Sequence, residues 1–418
     1  MSDPKIDIVM FNMSCYTEWQ TGFANRNFHV LHNLIQHSGV RKIVAVDNLP
    51  FTWRRVLKMW LQNIFGGVKG KVLARGWFYK LVALSEAEIE KTGYKLEGYA
   101  PSDVPYKIFI YTDIRSMWSE AKVYKQLQIE LAQLDIKQPV IWSYLPTFIN
   151  YFDVFGKSIK IFEAVDNWLE HSAYKKIIER LRFNYQTIRY KADLIFTTAP
   201  ALVDFFDRGR DCVYIPNGVS LIHIDNAAKI IGRDMAGLPR PIVGYYGVMT
   251  KDRLDVDLIA YLARENPNKS LVMIGWVWPN LKTIIQQKLK PFTNIYWLGR
   301  KSYREALAYL RGFDVAIVPH LQNEFNRFTD PLKIYEYLAA GKPVVSTPAN
   351  NLPGFKQLIY SANTPEEFNN CLRTAISETN TTLIKERRAL AEANAWPVRI
   401  NEMWQRLEPY LVKNYERP

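Results

Sequence analysis

The chain has 418 residues, of which 48% are hydrophobic and 23% are charged, a composition that describes a globular protein. A chain of this length exceeds one ordinary hydrophobic core, so we expect two domains. The net charge of +13 at pH 7 leaves nucleic acid, anionic membrane and phosphorylated substrates open as classes of partner.

The cysteines argue against a disulfide framework and against a zinc site. There are three, Cys15, Cys212 and Cys371, and they are far apart and lack Cys-x-x-Cys spacing. This usage is typical of a reducing compartment. We find no secretory signal pattern at the N-terminus and no run of ~18 apolar residues, so we expect neither secretion by that route nor a membrane span.

The first 50 residues predict the start of a doubly wound sheet. An apolar strand over residues 5–11 leads into a polar turn, a helix with one apolar side, and a second strand over residues 43–47. The loops after such strands form the binding crevice of an α/β domain. We interpret His29, in the helix, as a residue of the helix surface or core edge rather than as a catalyst.

Residues 48–85 contain seven cations and no acidic residue. Aromatic residues are interleaved with the cations, as at a membrane interface. We expect the membrane contacts to come from Trp53, Arg54, Arg55, Lys58, Trp60 and Trp77. The alternative is an ordinary helical insertion whose tryptophans pack inward. Proteins that bind single-stranded nucleic acid share this composition, but no RNA-binding signature accompanies it.

The remainder of the first half continues the strand pattern and presents one acid at a strand end. We expect strands at residues 107–111 and 139–143, and another that ends near Asp166. A carboxylate at that place could orient an acceptor or act as a base, or it could cap the helix expected to begin near Trp168. Two further strands follow, and we place the domain boundary near residues 217–225.

The second half predicts a second Rossmann-like domain. A strand over residues 242–247 ends at Gly247, where a backbone without a side chain can approach a ligand closely. Lys251 and Arg253 follow at once, before a helix. Further strands are expected at residues 270–275, 294–299 and 313–319, with a helix beginning after Arg300.

Residues 328–349, FTDPLKIYEYLAAGKPVVSTPA, predict a loop, a helix, a tight turn and a short buried strand. Pro331 suits a helix start and Gly341 suits a helix end. Lys333 and Glu336 lie near the helix N-terminus, where the helix dipole favours phosphate oxygens. Lysine can neutralise a phosphate, and glutamate can accept hydrogen bonds from a ribose diol. The alternative is a capped helix with a surface Lys–Glu pair.

The segment DPLKIYEYLAAGKPVVST resembles the donor-nucleotide motif of GT-B glycosyltransferases of group 1, the family-4-like type related to teichuronic-acid and cell-surface polysaccharide enzymes. The resemblance continues more weakly along most of the chain. It implies an α/β fold of two Rossmann-like domains that face each other across a cleft. The implied domains are residues 1–220 for the acceptor, residues 221–395 for the nucleotide-sugar, and an amphipathic helix over residues 396–418 that crosses back.

The resemblance also assigns roles to individual residues. Asp166 and Glu336 are the expected catalytic residues, and Glu336 also contacts the ribose. The other expected donor-binding residues are Gly247, Lys251, Arg253, Arg300, Leu332 and Lys333. The expected acceptor-binding residues are Trp19, Gly22, Asn25 and Arg26. We expect no cofactor and no metal, because protein cations and a helix dipole can replace a metal at the diphosphate.

The function implied is sugar transfer from a nucleotide-diphosphate sugar to a glycan or lipid-linked acceptor in cell-surface polysaccharide biosynthesis. We expect a retaining enzyme, although Phe328 occupies a position where many retaining members carry a second acid. The expected location is cytoplasmic, peripheral on the inner face of the cell membrane. The alternatives are a sugar-nucleotide epimerase or phosphorylase, a non-catalytic binding protein derived from the fold, and a nucleic-acid protein.

Overall fold

The computed structural model describes residues 5–47, 49–50, 52–92, 106–206, 211–227, 232, 234–348, 355 and 357–415. Asn48 and Phe51 of the basic stretch, Ala349 at the end of the donor motif, and residues 416–418 of the expected crossover helix lie outside these ranges.

The first half of the chain forms a nine-stranded sheet in the order β3-β4-β5-β2-β1-β6-β7-β8-β9. Strands β3, β4 and β5 pair antiparallel at one edge, and the other pairings are parallel. The strands are β1 (Ile6–Phe11), β2 (Val40–Val46), β3 (Lys71–Arg75), β4 (Tyr79–Leu84), β5 (Ile108–Asp113), β6 (Val140–Ser143), β7 (Lys160–Ala164), β8 (Leu194–Thr197) and β9 (Asp211–Tyr214).

Helices cover both faces of this sheet, so its central strands are buried on both sides. Strand β1, for example, reads IDIVMF and is buried throughout, as expected of a parallel strand between two layers. The helices are α1 (Tyr16–Gln20), α2 (Arg26–Leu34), α3 (Trp53–Phe65), α4 (Glu86–Glu90), α5 (Glu120–Gln133), α6 (Tyr151–Val154), α7 (Ile178–Lys191) and α8 (Pro200–Phe206), with short 3₁₀ segments at Arg115–Met117 and Ser172–Ile177.

The second half forms a six-stranded parallel sheet in the order β12-β11-β10-β13-β14-β15. Its strands are β10 (Ile242–Tyr246), β11 (Ser270–Ile274), β12 (Ile295–Gly299), β13 (Val315–Val318), β14 (Val344–Ser346) and β15 (Tyr360–Ser361). Its helices are α9 (Leu221–Asn226), α10 (Val256–Glu265), α11 (Pro279–Leu289), α12 (Tyr303–Leu310), α13 (Glu324–Arg327), α14 (Leu332–Ala339), α15 (Pro365–Ile376) and α16 (Thr381–Ala393).

The last helix, α17 (Trp396–Tyr415), returns to the first sheet. Trp396, Ile400, Met403 and Leu407 are buried in the same hydrophobic cluster as α2 and strand β1. Burial of an aromatic and three aliphatic side chains fixes this helix across the two halves. The predicted α/β architecture, with two facing Rossmann-like units and a helix that crosses back, is confirmed.

The basic stretch is not helical throughout. Only α3 is a helix, and residues 71–84 form the antiparallel hairpin β3–β4, in which Gly76 N donates to Tyr79 O at 3.0 Å. The hairpin adds two strands to the sheet edge, where β-branched and aromatic residues suit a pleated surface. None of the described helices is long and apolar enough to span a bilayer.

Candidate functional site

Two glycines form the floor of the cleft on the side of the second sheet. Gly247, directly after β10, has φ of +141° and donates its N–H to Ile274 O at 2.9 Å. A Cβ on Gly275, directly after β11, would lie 1.9 Å from Gly247 O. Only glycine allows this backbone conformation and this contact. Gly247 therefore lies where predicted, and Gly275, which we did not single out, supports it.

Lys333 lies directly beneath Gly247. Its Nζ donates to Tyr245 Oη at 3.1 Å, and a Cβ on Gly247 would lie 3.1 Å from that Nζ. Only 7% of Lys333 is exposed. Burial lowers the pKa of the Lys333 ammonium well below its usual value, and the nearby Arg253 lowers it further.

Glu336 is also buried, with 3% of its surface exposed. Burial raises the pKa of its carboxyl to about 8. Every residue of α14 from Lys333 to Ala339 is buried, so the alternative of a surface Lys–Glu pair is wrong. Helical periodicity allowed two exposed side chains here, but the second sheet and the helices α9 and α16 pack around α14.

Arg253 extends from the loop after β10 toward the first domain. Its Nη2 lies 3.9 Å from Asp166 Oδ1, and its guanidinium lies 5.4 Å from the Phe325 ring. The amide of Asn326, which is fully buried, donates to the backbone oxygens of Asp252 and Arg253 at 3.1 and 3.3 Å. Asn326 therefore positions Arg253, and no sequence motif marked it. Lys251, two residues before Arg253, is exposed.

Asp166 lies two residues after β7, at the carboxyl edge of the first sheet. Burial raises the pKa of its carboxyl, while the charges of Arg253 and His171 oppose that rise. The helix-cap alternative does not describe it, because Asn167 Oδ1 accepts from Leu169 N and His171 Nδ1 accepts from Ala173 N. Asp166 thus lies in the cleft opposite the second domain's cation.

A second link between the domains lies beside Asp166. Ser172 Oγ donates to Asp252 Oδ2 at 2.6 Å, and His171 Nδ1 lies 3.7 Å from the same oxygen. The His171 ring also packs edge-on against Phe325, 5.1 Å away. Sequence reasoning missed these residues because neither His171 nor Ser172 belongs to a recognisable motif.

Gly22 and Arg300 each contact the other domain at the opposite end of the cleft. Tyr303 N donates to Gly22 O at 2.7 Å, and Arg300 Nη2 donates to Thr21 Oγ1 at 2.9 Å. Gly22, expected at the acceptor, therefore contacts the loop of the second domain that carries Arg300, an expected donor-binding residue. These two contacts join the domains there.

The side chains of the other expected acceptor residues have hydrogen-bond partners within the first domain. Trp19 is 1% exposed and its Nε1 donates to Ser14 Oγ at 2.7 Å, inside the first core. Asn25 caps α2. Arg26 is buried in an ion pair with Glu163 and donates to Pro216 O at 2.9 Å. We correct the expectations for Trp19 and Arg26, whose buried side chains hold the first domain together. Asn25 is only partly buried, so its contact with the acceptor stays a prediction.

Leu332 and Phe328 flank the donor helix. Leu332, partly buried, packs against the hydrophobic cluster of the first sheet. Phe328, at the position of the second acid of many relatives, is 8% exposed and its ring centroid lies 6.2 Å from that of Phe205. Its role is packing between the domains, since a phenyl ring provides no charge. His29, likewise, is a core residue, 5.1 Å from the Trp396 ring and stacked on it, and it does not lie on the helix surface.

The basic stretch and Trp118 present a group of exposed basic and apolar side chains, which we name the docking face. Trp53 stacks on Trp118 at 5.8 Å, and Phe78 packs against Trp118 at 6.0 Å. The exposed side chains are Trp53, Arg54, Leu57, Lys58, Leu61, Phe65, Lys69, Lys71, Val72, Leu73, Arg75, Trp77, Phe78 and Trp118. The most exposed aromatics are Phe65 and Trp77, each at 82%, and Trp53, at 66%.

Two predicted membrane residues point inward instead. Arg55 Nη2 donates to Cys15 Sγ at 3.1 Å and lies 4.0 Å from Glu18 Oε1. Trp60 packs against a small cluster that contains Met59 and Ile114. Arg55 lies on the side of α3 opposite Trp53 and Leu57. Trp60 lies at the edge of the exposed side, next to the buried Val56 and Met59. The inward-packing alternative is thus correct for Trp60 and wrong for Trp53 and Trp77.

Among the residues that the structure describes, no group of three or more His, Cys, Asp or Glu could hold a metal ion. An Asp-x-Asp spacing occurs at Asp255 and Asp257. Asp255 Oδ1 accepts from Leu258 N at 2.9 Å as the cap of α10, and Asp257 pairs with Lys288 at 2.5 Å. Both acids therefore have structural partners.

The second domain matches a known family. Residues 240–378 match the family model described as Glycosyl transferases group 1. TuaH of Bacillus subtilis (strain 168), named as a teichuronic acid biosynthesis glycosyltransferase, is 29% identical over 233 residues. That alignment covers 52% of this chain and 57% of the relative, so the chain spans a little over half of the relative's length.

Solved structures share the fold over nearly the whole chain. HepE (Alr3699) of Anabaena in complex with UDP has a TM-score of 0.63 and 14% identity, covering 97% of this chain and 100% of that one. An α,α-trehalose-phosphate synthase (UDP-forming) from Burkholderia vietnamiensis has a TM-score of 0.66 and 14% identity, covering 98% and 100%. Identity this low shows the fold alone. The matches therefore show a group 1 glycosyltransferase domain at residues 240–378, in a chain that has the GT-B fold.

Proposed function

We propose that the chain transfers a sugar from a nucleotide-diphosphate sugar to a glycan or lipid-linked acceptor in cell-surface polysaccharide biosynthesis. The observation that carries this proposal is the convergence at one cleft of Lys333, Gly247 and Arg253 on the second domain, with Asp166 3.9 Å from Arg253 on the first. TuaH, named for teichuronic acid biosynthesis, supports the cell-surface role.

The donor would bind on the second domain. Structures of HepE with UDP and with UDP-glucose support a nucleotide-diphosphate sugar, and uracil is the base to test first. Arg253 and Lys333 would hold the diphosphate, with Lys251 at the rim of the same loop. Glu336 would accept hydrogen bonds from the ribose hydroxyls. The loop that carries Arg300 would contact the base.

The chemistry proposed is displacement at the anomeric carbon. The bond between that carbon and the diphosphate oxygen breaks, and an acceptor hydroxyl oxygen forms the new bond and gives its proton to the departing diphosphate. Arg253 and Lys333 would stabilise the charge that develops on the departing diphosphate. Asp166 would orient the acceptor hydroxyl and accept a hydrogen bond from it.

We propose that no metal takes part, because two or three cations and the N-terminus of α14 can neutralise the diphosphate. Turnover unchanged by EDTA supports this, and activity restored only by a divalent cation contradicts it. The likeness of the 328–349 motif to group 1 enzymes supports retention of the anomeric configuration. Proton NMR of the first product measures that outcome.

We further propose that the protein docks on the inner, anionic face of the cell membrane through the docking face. Exposed apolar side chains that cluster together mark interaction surfaces. Here they alternate with Arg54, Lys58 and Lys71, and each cation near an anionic bilayer contributes about 1 kcal/mol. Docking would bring the first domain to a lipid-linked acceptor.

The direct test is transfer of labelled sugar from UDP-sugars to an acceptor extract containing lipid-linked glycans. A Lys333→Met variant should lose transfer. Lys342→Met is its matched control, because Lys342 lies after the same helix but its Nζ donates to Arg311 O and Phe313 O, away from the cleft. Conversion of the donor without an acceptor product would indicate an epimerase, and sugar phosphate formed from glycan and phosphate would indicate a phosphorylase.

A further inference from the structure

A buried row of three polar side chains lies behind Gly247. Lys333 Nζ, from α14, is 3.1 Å from Tyr245 Oη on β10. Tyr245 Oη is in turn 3.4 Å from His320 Nε2, just after β13. Tyr245 and His320 are fully buried and Lys333 nearly so. Three elements that are distant in sequence thus hold one lysine amine against the floor of the donor site.

The charges around Lys333 are unfavourable to an ammonium. Among the described residues the hydrogen-bond partner of its Nζ is Tyr245 Oη, and no carboxylate forms an ion pair with it. The loop after β10 faces it with Arg253, a like charge, and with the exposed Lys251, while Asp252 of that loop is hydrogen-bonded to Ser172. On α14 itself Glu336 is one turn away and buried. β10 contributes Tyr245, whose pKa is raised by burial, and the segment after β13 contributes His320. A buried ammonium without a partner anion costs several kcal/mol, so the neutral amine is favoured.

We propose that Lys333 is a neutral amine in the donor-free protein and takes up one proton from solvent when a nucleoside diphosphate binds. Tyr245 and His320 are then positioning residues that hold the neutral amine beneath Gly247 until the diphosphate arrives. The inference rests on the proposed donor site and adds a proton to its binding reaction. The balance is simple: the amine gains one proton, and the bound diphosphate compensates the new positive charge.

Uptake of a proton makes the affinity for the nucleoside diphosphate depend on pH. Because the complex holds one proton more than the free protein, affinity is greatest at low pH and falls by about tenfold per pH unit above the free-state pKa of Lys333. Glu336 acts in the opposite sense, since ribose hydroxyls that donate to its carboxylate favour loss of its proton. Well above pH 8 Glu336 is ionised in the free protein, so its opposing contribution falls away.

The experiment is titration calorimetry of UDP into the full chain at about pH 9 in two buffers of different ionisation enthalpy. The slope of observed enthalpy against buffer enthalpy counts the protons taken up. We expect close to one proton for the wild type and for Lys342→Met, and none for Lys333→Met. The wild-type affinity for UDP should also fall by about tenfold per pH unit at high pH, which tests the inference without any variant.

The calorimetric results support or overturn proton uptake by Lys333. UDP binding without proton uptake would overturn this inference and leave the donor site standing. Uptake that persists in Lys333→Met would assign the proton to another group and also overturn it. Tyr245→Phe supplies a further readout, because loss of the phenol should shift the pH at which affinity declines, whereas a purely structural role would lower affinity equally at all pH. If UDP, ADP, GDP and CDP all fail to bind, the proposed function fails first and this inference fails with it.

Discussion

Asn217 and Asp330 are joined by two buried hydrogen bonds across the domain boundary. The Asn217 N–H donates to Asp330 Oδ2 at 2.6 Å, and Asn217 Nδ2 donates to Asp330 O at 2.5 Å. Tyr335 Oη also donates to Asp330 Oδ2, at 3.0 Å, and Arg26 Nη1 donates to Asn217 Oδ1 at 3.1 Å. The segment after the first sheet is therefore held against the residue that precedes α14, which sets the donor helix relative to the first domain.

This arrangement predicts a pH-dependent term in stability. Burial raises the pKa of Asp330 to about 6 from its ordinary value of 3.8. The folded protein thus holds more protons than the unfolded one between those values, and Asp330 lowers the free energy of unfolding by about 3 kcal/mol as pH rises through that window. Asp330→Asn should remove this term while keeping an oxygen to accept from Asn217 and Tyr335.

Urea unfolding of wild type and Asp330→Asn from about pH 4 to pH 7 measures the effect. Asp225→Asn is the control, since Asp225 pairs with Arg388 on the surface. The difference in stability between wild type and Asp330→Asn should change across the window. A constant difference would show that Asp330 does not titrate there.

A second prediction concerns Glu336. Because the side chain is buried, alanine would leave a cavity, and Glu336→Gln is the cleaner substitution. We expect this variant to fold and to bind both uridine and UDP roughly 10- to 100-fold more weakly, since charge-assisted hydrogen bonds contribute about 1.5–3 kcal/mol. Fluorescence or calorimetric titration gives both constants.

The ribose assignment is tested further with 2′-deoxy-UDP. The wild type should bind it more weakly than UDP, and Glu336→Gln should discriminate much less between the two. Equal discrimination by both proteins would place Glu336 away from the ribose.

A third prediction separates the diphosphate contacts from the nucleoside contacts. Arg253→Met should weaken the binding of UDP by roughly 10- to 100-fold and change the binding of uridine little, because the lost contact is to phosphate. Asn326→Ala should act in the same direction, because it releases the backbone of residues 252 and 253. Equal weakening of UDP and uridine by Arg253→Met would remove Arg253 from the phosphate site.

The docking face carries a fourth prediction. Arg54→Glu combined with Lys58→Glu should abolish binding to vesicles that contain anionic lipid, and wild-type binding should fall with added salt, since the Debye length is about 8 Å at physiological ionic strength. Trp53→Ser with Trp77→Ser should weaken binding at every salt concentration, because its contribution is hydrophobic. Arg55 is excluded from the test because it contacts Cys15.

Lys282→Glu with Lys290→Glu is the matched control, since both lysines are exposed on the second domain and give the same change of charge. Cosedimentation measures the binding, and UDP affinity should survive all these changes. Equal vesicle binding by the two double charge variants would end the membrane proposal.

Local patterns in the sequence determined much of the architecture. Apolar runs such as residues 242–246 and 270–274 are strands because buried parallel strands need continuous apolar side chains. Pro331 and Gly341 bracket α14 because proline and glycine act on the backbone of their own neighbourhood. The same local character made the 328–349 motif recognisable, and the proposed donor site rests on it.

Only the tertiary structure decided what each polar side chain does. Arg26 is 137 residues from its partner Glu163, and Arg253 is 87 residues from Asp166. Arg26 was expected in the cleft but is buried. From the sequence alone, Lys333 and Glu336 could equally have formed a surface pair. Periodicity shows which residues share a face of a helix, but not what covers that face. Burial and charge pairing depend on what covers the face. Together they determine whether a charged side chain makes a core contact or lines the proposed donor site.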